Sequence, residues 1–260
     1  MQLRDIGRLT LTPLLFGGVL GSSALLASQA NADTILGVYA GADYWAASLD
    51  GNFGARDSDD FFNSRQSDSD REQHTILSAS FEHPIPLIPN IWARYNPIDY
   101  AGTADFRNSV QLGGTSFSTT APTAYSFDLT HTDVGLYYEV LDNWVTLDLG
   151  IAAKVLDVEY RVQQNNASYR FADDSIVPML YGKAAFDLPF SGWQLTTQAM
   201  ALSFEGDSVE DISAQLGYNL NGFVQFALGY RALLIDVETD DNARSEIDVT
   251  GAYANLTLHL

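Results

Sequence analysis

Within residues 141–154, a tight polar turn leads into a strand whose side chains from 145 to 154 alternate with a period of two. Leu147 and Leu149 fall on one side of an extended chain, and Thr146 and Asp148 fall on the other. This period places the two sets on opposite faces of a β-sheet. The pattern recurs about ten times along the chain, which is typical of a transmembrane β-barrel. We therefore predict an all-β fold, a single antiparallel transmembrane β-barrel of about ten strands, with eight strands as the alternative.

The N-terminal segment predicts a cleaved secretory signal peptide. A short basic region precedes a mostly apolar stretch, and the small-x-small sequence at 30–32 provides a cleavage site. A membrane anchor is the weaker interpretation, because polar residues, proline and glycine interrupt the stretch, whereas a spanning helix needs ~20 mostly apolar residues. We assign residues 1–32 to the leader and 33–260 to the barrel, which places the protein in the outer membrane of a Gram-negative bacterium.

The composition excludes several classes of function. The formal net charge is −20 at pH 7, and nucleic acid is an improbable partner because binding it requires a basic surface. The chain has no cysteine, so it forms no disulfide, although export would permit one. We find no phosphate-binding loop, dinucleotide fingerprint or zinc-ligand spacing, and we predict no cofactor.

The alternating segments are separated by polar or proline-rich stretches. We predict long exposed loops at 50–73 and 163–174, and a loop or an extended hairpin at 102–122. Connections after the first, third, fifth and ninth strands are longer and acidic, which places them outside the cell, and the short turns face the periplasm. The predicted strands lie at about 34–49, 74–83, 91–101, 123–140, 144–162, 175–187, 192–205, 209–220, 223–237 and 246–260.

A soluble lipocalin-like barrel also alternates, with its apolar face turned inward. Aromatic residues such as Trp144 and Trp193 stand near the turns, where a membrane-interface girdle is expected. The last strand ends in an alternating apolar series at Leu260, similar to the C-terminal insertion sequence of outer-membrane proteins except that Leu replaces the usual Phe. Both features favour the membrane barrel, with outer-membrane lipid and the barrel-insertion machinery as partners.

Three stretches carry a resemblance to a known family. They are LGVYAG at 36–41 with Trp45, FEHPIPLIPN at 81–90 and LYYEVLDN at 136–143. Together they resemble a proteobacterial family of outer-membrane β-barrel proteins, most of which are uncharacterised, and the proline-rich turn is the most specific of the three. The resemblance implies an outer-membrane barrel and brings no catalytic residues.

The predicted lumen face carries ionisable side chains of both signs. Such charges inside a narrow barrel usually form a packed ion-pair network, because an unpaired buried charge is costly. The alternative is a selective pore in which charges control passage. A ten-stranded lumen is only slightly wider than the eight-stranded one that side chains fill, which favours the network. The predicted lumen set is Asp43, Glu82, Arg94, His131, Asp133, Glu139, Asp148, Lys154, Lys183, Asp187, Arg231 and His259.

The first predicted loop is rich in carboxylates, and oxygen-rich loops can hold Ca²⁺. The glycine of an EF-hand loop is missing, so a solvated loop is the simpler interpretation. A divalent cation bound here would bridge the loop to lipopolysaccharide phosphates, which are also hard oxygen ligands. The candidate cation contacts are Asp57, Asp59, Asp60, Asp68 and Asp70.

We predict no enzymatic activity. His74 with Asp68 or Asp70 is a conceivable water-activating pair near the outer rim, and no motif supports it. The leading prediction is a structural or surface-binding role through the extracellular loops. A narrow, porin-like channel for small solutes is the alternative, and an outer-membrane hydrolase is third.

Overall fold

The computed structural model describes residues 36–55, 62–63, 71–104, 109–112, 114–238 and 243–260. The predicted leader lies outside these residues. The strands are β1 (Gly37–Ala55), β2 (Phe62–Asn63), β3 (Glu72–Glu82), β4 (Asn90–Asn96), β5 (Asp99–Ala104), β6 (Val110–Leu112), β7 (Thr115–Phe117), β8 (Thr123–Asp142), β9 (Val145–Gln164), β10 (Ala167–Asp187), β11 (Trp193–Phe204), β12 (Asp207–Asn219), β13 (Val224–Glu238) and β14 (Ala243–His259).

None of the described segments forms a helix long and apolar enough to cross a membrane.

The long strands close into an antiparallel barrel. Neighbours in the chain are neighbours in the sheet, and β14 pairs with β1 from Tyr39↔His259 onward, so the sheet closes on itself. Strands β4 and β5 share one position, because both pair with β8 on either side of Pro97. Proline has no amide to donate, and Leu129 maintains the attachment by donating to the Ile98 carbonyl at 2.8 Å. The predicted all-β barrel of ten strands is confirmed.

The apolar face of each long strand changes sides along its length. On β9 the outward side chains are apolar from Val145 to Val155, which is the ~9–11 residues that a tilted strand needs to cross a bilayer. Beyond Val155 the outward positions are polar, beginning with Asp157 and Glu159, and the buried inward positions become apolar. The same change occurs on β10, where Ile176 is the last outward apolar residue before Asp174.

These outward apolar residues form one belt around the barrel. Leu180, Leu228 and Ile151 are 72%, 71% and 61% exposed, an arrangement that is costly in water and typical of a lipid-facing surface. Trp193 and Tyr218 lie at one border of the belt, with ring centroids 5.1 Å apart. The belt defines the part of the wall that spans a membrane.

The two ends of the barrel differ. One end, the turn end, carries the short connections at 83–89, 143–144, 188–192 and 220–223, together with both described chain termini. The other end, the loop end, carries the connections after β1, β5, β9, β11 and β13. On the loop end, β8, β9 and β10 extend well beyond the apolar belt.

The loop prediction for residues 163–174 is wrong. Strand β9 runs to Gln164 and β10 begins at Ala167, so only Asn165 and Asn166 form the connection. Asn165 has a φ of 52°, a left-handed conformation that asparagine tolerates and that two-residue hairpin turns require. The segment is polar because it lies above the apolar belt. There its side chains meet water and the neighbouring strand instead of lipid.

The predicted loop at 50–73 is shorter than expected, and a hairpin, the alternative to a loop at 102–122, occupies part of that segment. At 50–73, β1 continues to Ala55, β2 pairs back onto it, and β3 begins at Glu72. At 102–122, the small hairpin of β6 and β7 forms, and its Phe117 is completely buried.

Candidate functional site: the barrel lumen

A buried cluster of charges crosses the middle of the lumen, and we call it the ion-pair layer. It consists of Arg94, Asp133, Lys154, Asp211 and Arg231. Arg94 donates to Asp133 Oδ2 through Nε at 3.0 Å and Nη2 at 2.9 Å, and Lys154 Nζ donates to Asp133 Oδ1 at 2.8 Å. Asp211 accepts from Arg94 at 2.8 Å and Lys154 at 3.1 Å, and from Arg231 at 2.7 and 2.8 Å.

Strand register explains how distant residues meet here. Arg94, Asp133 and Lys154 are direct cross-strand partners on β4, β8 and β9, and all three point inward. Asp211 and Arg231 reach them from β12 and β13 on the other side of the barrel. None of the five side chains is more than 9% exposed.

Neutral groups complete the hydrogen bonding of the layer. Asn96 Nδ2 donates to Asp133 at 3.0 Å, and its Oδ1 accepts from Arg231 at 2.8 Å. Trp45 has no exposed surface, and it donates to the Gly251 carbonyl at 3.1 Å while its ring lies 4.8 Å from the Arg231 guanidinium. The layer therefore leaves little solvent-accessible surface across this part of the lumen.

The layer is not a metal site. His131, Asp133 and Asp211 present ligand atoms within 4.8 Å of one another. However, both carboxylates already bind arginine and lysine, and the three cations outnumber the two carboxylates, which leaves one net positive charge. A metal ion would have to displace these cations or lie beside them, so the residues do not fit one.

The lumen between the ion-pair layer and the loop end is filled by apolar side chains, which we call the apolar plug. Each is at most 9% exposed. Phe117 joins the plug from the small hairpin. The main members are Leu49, Tyr100, Phe127, Leu129, Leu156, Val158, Tyr160, Val162, Ile235, Val237 and Ile247.

One glutamine holds the connection between β7 and β8 onto the plug. Gln164 Nε2 donates to the carbonyls of Ser118 and Ala121 at 2.8 Å each and to Thr123 Oγ1 at 2.7 Å. Its Oε1 accepts from the Ser118 amide at 2.8 Å. This segment is therefore fixed against the end of β9.

At the turn end the lumen opens into a cavity of about 680 Å³, which we call the cup. One wall is neutral and polar, with inward amide and hydroxyl side chains from β11 to β14. The opposite wall carries charge: Lys183 binds Asp148 at 2.9 Å, and Tyr137 donates to Glu82 at 2.6 Å. Glu139, opposite Asp148 in the register, has no hydrogen bond to a described residue.

The structure separates the predicted lumen residues into groups. Arg94, Asp133, Lys154 and Arg231 belong to the ion-pair layer, and buried His131 lies beside it, with Nδ1 2.8 Å from the Leu129 carbonyl oxygen. The others lie along the cup: Asp148 with Lys183, Glu82 with Tyr137, Asp43 accepting from Asn255 at 2.5 Å, and Glu139.

Two predicted residues lie at the rim of the cup, apart from any ion pair. Asp187 is exposed and accepts a hydrogen bond from Gln194 at 2.9 Å. His259 stacks on Tyr39, with ring centroids 4.4 Å apart. Both alternate inward at the ends of their strands, and neither forms an ion pair with a described residue.

The histidine of the predicted water-activating pair lies inside the lumen, and its partners lie outside the described residues. His74 is buried against Trp45 and Tyr100, with ring centroids at 6.2 and 5.1 Å. Its proposed partners Asp68 and Asp70 lie outside the described residues. The same is true of the loop cation contacts Asp57, Asp59, Asp60, Asp68 and Asp70.

Sequence reasoning missed Asp211, which binds all three cations of the layer. Val209 and Asp211 alternate with outward Glu210 and Ile212, so the inward position of Asp211 was readable from the period. Because Glu210 is also acidic, Glu210 and Asp211 together resemble the solvent-exposed end of a strand.

Charged side chains also lie on the outward face of β9 and β10 where these strands extend beyond the belt at the loop end. Arg170 donates to Glu159 Oε2 through Nε at 3.0 Å and Nη2 at 2.5 Å, and Arg161 pairs with the same carboxylate. The hydrogen bond from Arg170 lowers the pKa of the Glu159 carboxyl. This group lies beyond the belt and faces water.

No family model matches the chain, and no curated protein sequence matches it. Solved structures that resemble it include the outer-membrane protease OmpT from Escherichia coli, at 8% identity and a TM-score of 0.49, over 86% of this chain and 97% of that one. The translocator domain of the autotransporter NalP from Neisseria meningitidis has 10% identity and a TM-score of 0.36, over 86% and 88%. Ail from Yersinia pestis has 8% identity and a TM-score of 0.32, over 84% and 98%. At these identities the likeness concerns the barrel alone.

Proposed function

We propose that this protein is a non-enzymatic, non-conducting barrel of the Gram-negative outer membrane that presents a binding surface at the cell exterior. The observation that carries the proposal is the filled lumen. The ion-pair layer and the apolar plug occupy it between the cup and the loop end, and their side chains are at most 9% exposed. A channel needs a continuous aqueous path, whereas a surface-binding barrel needs only a rigid wall.

The ends of the barrel support an orientation. In outer-membrane barrels the longest connections face outward. Here the two longest connections, from β1 to β3 and from β5 to β8, both lie at the loop end, although the connections after β9 and β11 at that end have only two residues each. In this orientation β8, β9 and β10 extend beyond the outer surface of the membrane. Asp157 and Asp174 are cross-strand partners just above the apolar belt, at the depth where lipopolysaccharide phosphates lie. Carboxylates and phosphates both favour divalent cations, so we include lipopolysaccharide bridged by Ca²⁺ or Mg²⁺ among the surface partners.

The channel alternative is tested in planar bilayers. Protein refolded in detergent, and shown to be folded by its heat-modifiable gel mobility, is added to both chambers. We expect insertion without steady single-channel current. A reproducible conductance step would overturn the non-conducting assignment and favour the porin-like function.

The surface role is tested by flotation with vesicles that contain lipopolysaccharide. We expect Ca²⁺ to increase association with the vesicles more than Na⁺ at equal ionic strength, because screening acts equally in both. Replacing Asp57, Asp59, Asp60, Asp68 and Asp70 with Asn should remove the part that is specific to Ca²⁺. Equal effects of the two cations, or an unchanged Asn variant, would contradict this role for the loop.

A further inference from the structure

The cup is a preformed cavity that the surface-binding role does not use. Its volume of about 680 Å³ lies within the range of ~300–1,000 Å³ that is usual for small-molecule sites. It opens at the turn end and is closed at its base by the ion-pair layer, through Arg94. A cavity that is closed at one end can hold a ligand but cannot conduct it through the barrel.

The neutral wall of the cup offers both donors and acceptors. Gln198 lies on β11 at the border of this wall, between Ser213 and Lys183 in the register, and makes no side-chain hydrogen bond to a described residue. Gln215 Oε1 accepts from Tyr253 at 3.0 Å, and its Nε2 donors make no bond to described groups. An amide without these partners can donate a hydrogen bond to a ligand hydroxyl and accept one from it, because a hydroxyl oxygen is both donor and acceptor. The other polar members of the wall are Gln194, Thr196, Ser213, Gln225, Asn255 and Thr257.

Aromatic rings surround these polar groups. Trp92 and Tyr181 lie at the base with centroids 5.1 Å apart, and Tyr39 stacks on His259 at the mouth. Aromatic surface with a few convergent polar groups is the usual lining of a ligand pocket. A ring that is apolar on its faces and carries hydroxyls around its edge fits both kinds of surface.

The charges of the cup disfavour an ionic ligand. Arg94 and Lys183 are both paired with carboxylates, so no arginine or lysine among the described residues of the lining is left unpaired for an anion. Glu82 already accepts from Tyr137, and Asp43, which also lines the cup, accepts from Asn255. Glu139 and Asp142 are exposed toward the mouth, away from the base. The base and the neutral wall therefore suit an uncharged polar molecule.

We propose that the cup binds a neutral saccharide of one or two rings. In the orientation of the proposed function it opens toward the periplasm, where such chemistry comes from free sugars or from the ends of cell-wall glycan. Binding itself depends only on the cup, so its failure would leave the surface role untouched.

The test is calorimetric titration of the refolded full-length barrel in detergent. The probes are maltose and the disaccharide of N-acetylglucosamine, which separate a free hexose source from an amino-sugar glycan, with spermidine and inorganic phosphate as charged comparisons. We expect saturable binding of at least one disaccharide, at one site per barrel. The proposal would be overturned if neither disaccharide gave a binding signal at about 10 mM, which is ten times a Kd of 1 mM. Saturable binding of a charged probe alone would also overturn it.

A matched pair of variants locates the site. Gln198→Leu removes the free amide and should weaken binding about tenfold, because the ligand loses the hydrogen bonds to that amide. Gln163→Leu makes the same change on the outward face of the loop end and should leave binding unchanged. If Gln198→Leu loses heat-modifiable mobility, Gln215→Leu replaces it, with about fivefold weakening expected. Equal affinity of the cup variant and the Gln163 variant would place binding elsewhere and refute the assignment.

Discussion

Removal of the Asp211 carboxylate should be the most damaging conservative change in the lumen. Asp211 is 3% exposed and accepts hydrogen bonds from Arg94, Lys154 and Arg231. Asp211→Asn keeps the shape and leaves three buried cations facing one carboxylate, so the net charge of the layer rises from one to two positive charges. Breaking a buried pair in this way costs about 3–5 kcal/mol, because the remaining charge is uncompensated.

Lys154→Met is the discriminating comparison. Lys154 is completely buried, and methionine fills a similar volume. The change leaves two cations and two carboxylates: Asp133 still binds Arg94, and Asp211 still binds Arg94 and Arg231. No charge is orphaned, so the expected loss is about 0–2 kcal/mol.

The assay is reversible urea unfolding in lipid vesicles, followed by heat-modifiable gel mobility. Asp174→Asn serves as a control, since Asp174 is exposed above the belt and its change should stay within about 0.5 kcal/mol. We expect Asp211→Asn to be far less stable than Lys154→Met. If Lys154→Met is equally or more destabilised, net charge does not govern the layer and the reasoning fails.

Three further changes test other parts of the barrel. Leu149→Arg places a charge in the lipid belt and should cost ~2–4 kcal/mol in vesicle unfolding, whereas Gln163→Arg above the belt should be neutral; equal costs would refute the belt. Gly150→Ala puts a methyl group against a backbone oxygen of β8 and should lower stability by ~1–3 kcal/mol in the same assay. Gly182→Ala is the control, because the nearest neighbour of its added methyl group is at 3.7 Å, and its stability should change by no more than ~0.5 kcal/mol. An unaffected Gly150 variant would contradict the register. Gln164→Leu should release the connection between β7 and β8, measured as faster proteolysis at 118–122; unchanged cleavage would mean that other contacts fix this segment.

The alternation in the sequence predicts the barrel because one face of each strand meets lipid. Val145 to Val155 on β9 gives an uninterrupted period of two, and the same rule places Arg94 and Lys154 inside. The pairing between those residues depends on register across β4, β8 and β9, which local sequence does not specify. The sequence predicts charged side chains in the lumen, and the closure of the barrel determines which of them form ion pairs.

The apolar plug was missed although the sequence contains it. On β9, Leu156, Val158 and Tyr160 continue the apolar series at positions of opposite parity to Val155. A change of parity within one strand marks the height at which the wall leaves the membrane, because lipid no longer covers the outside. The predicted strand at 144–162 already includes these residues, but reading 163–174 as a loop hid the start of β10 at Ala167 and the height of the closed lumen.

Thiol labelling tests the closed lumen most directly, since the chain has no native cysteine. Ser213→Cys places a thiol in the cup, and Leu129→Cys places one in the apolar plug, where the side chain is 1% exposed. With a membrane-impermeant maleimide and folded protein in detergent, we expect rapid labelling of the cup thiol and none of the plug thiol until urea is added. Labelling of both thiols at similar rates in the folded barrel would show a water-filled lumen and contradict the account.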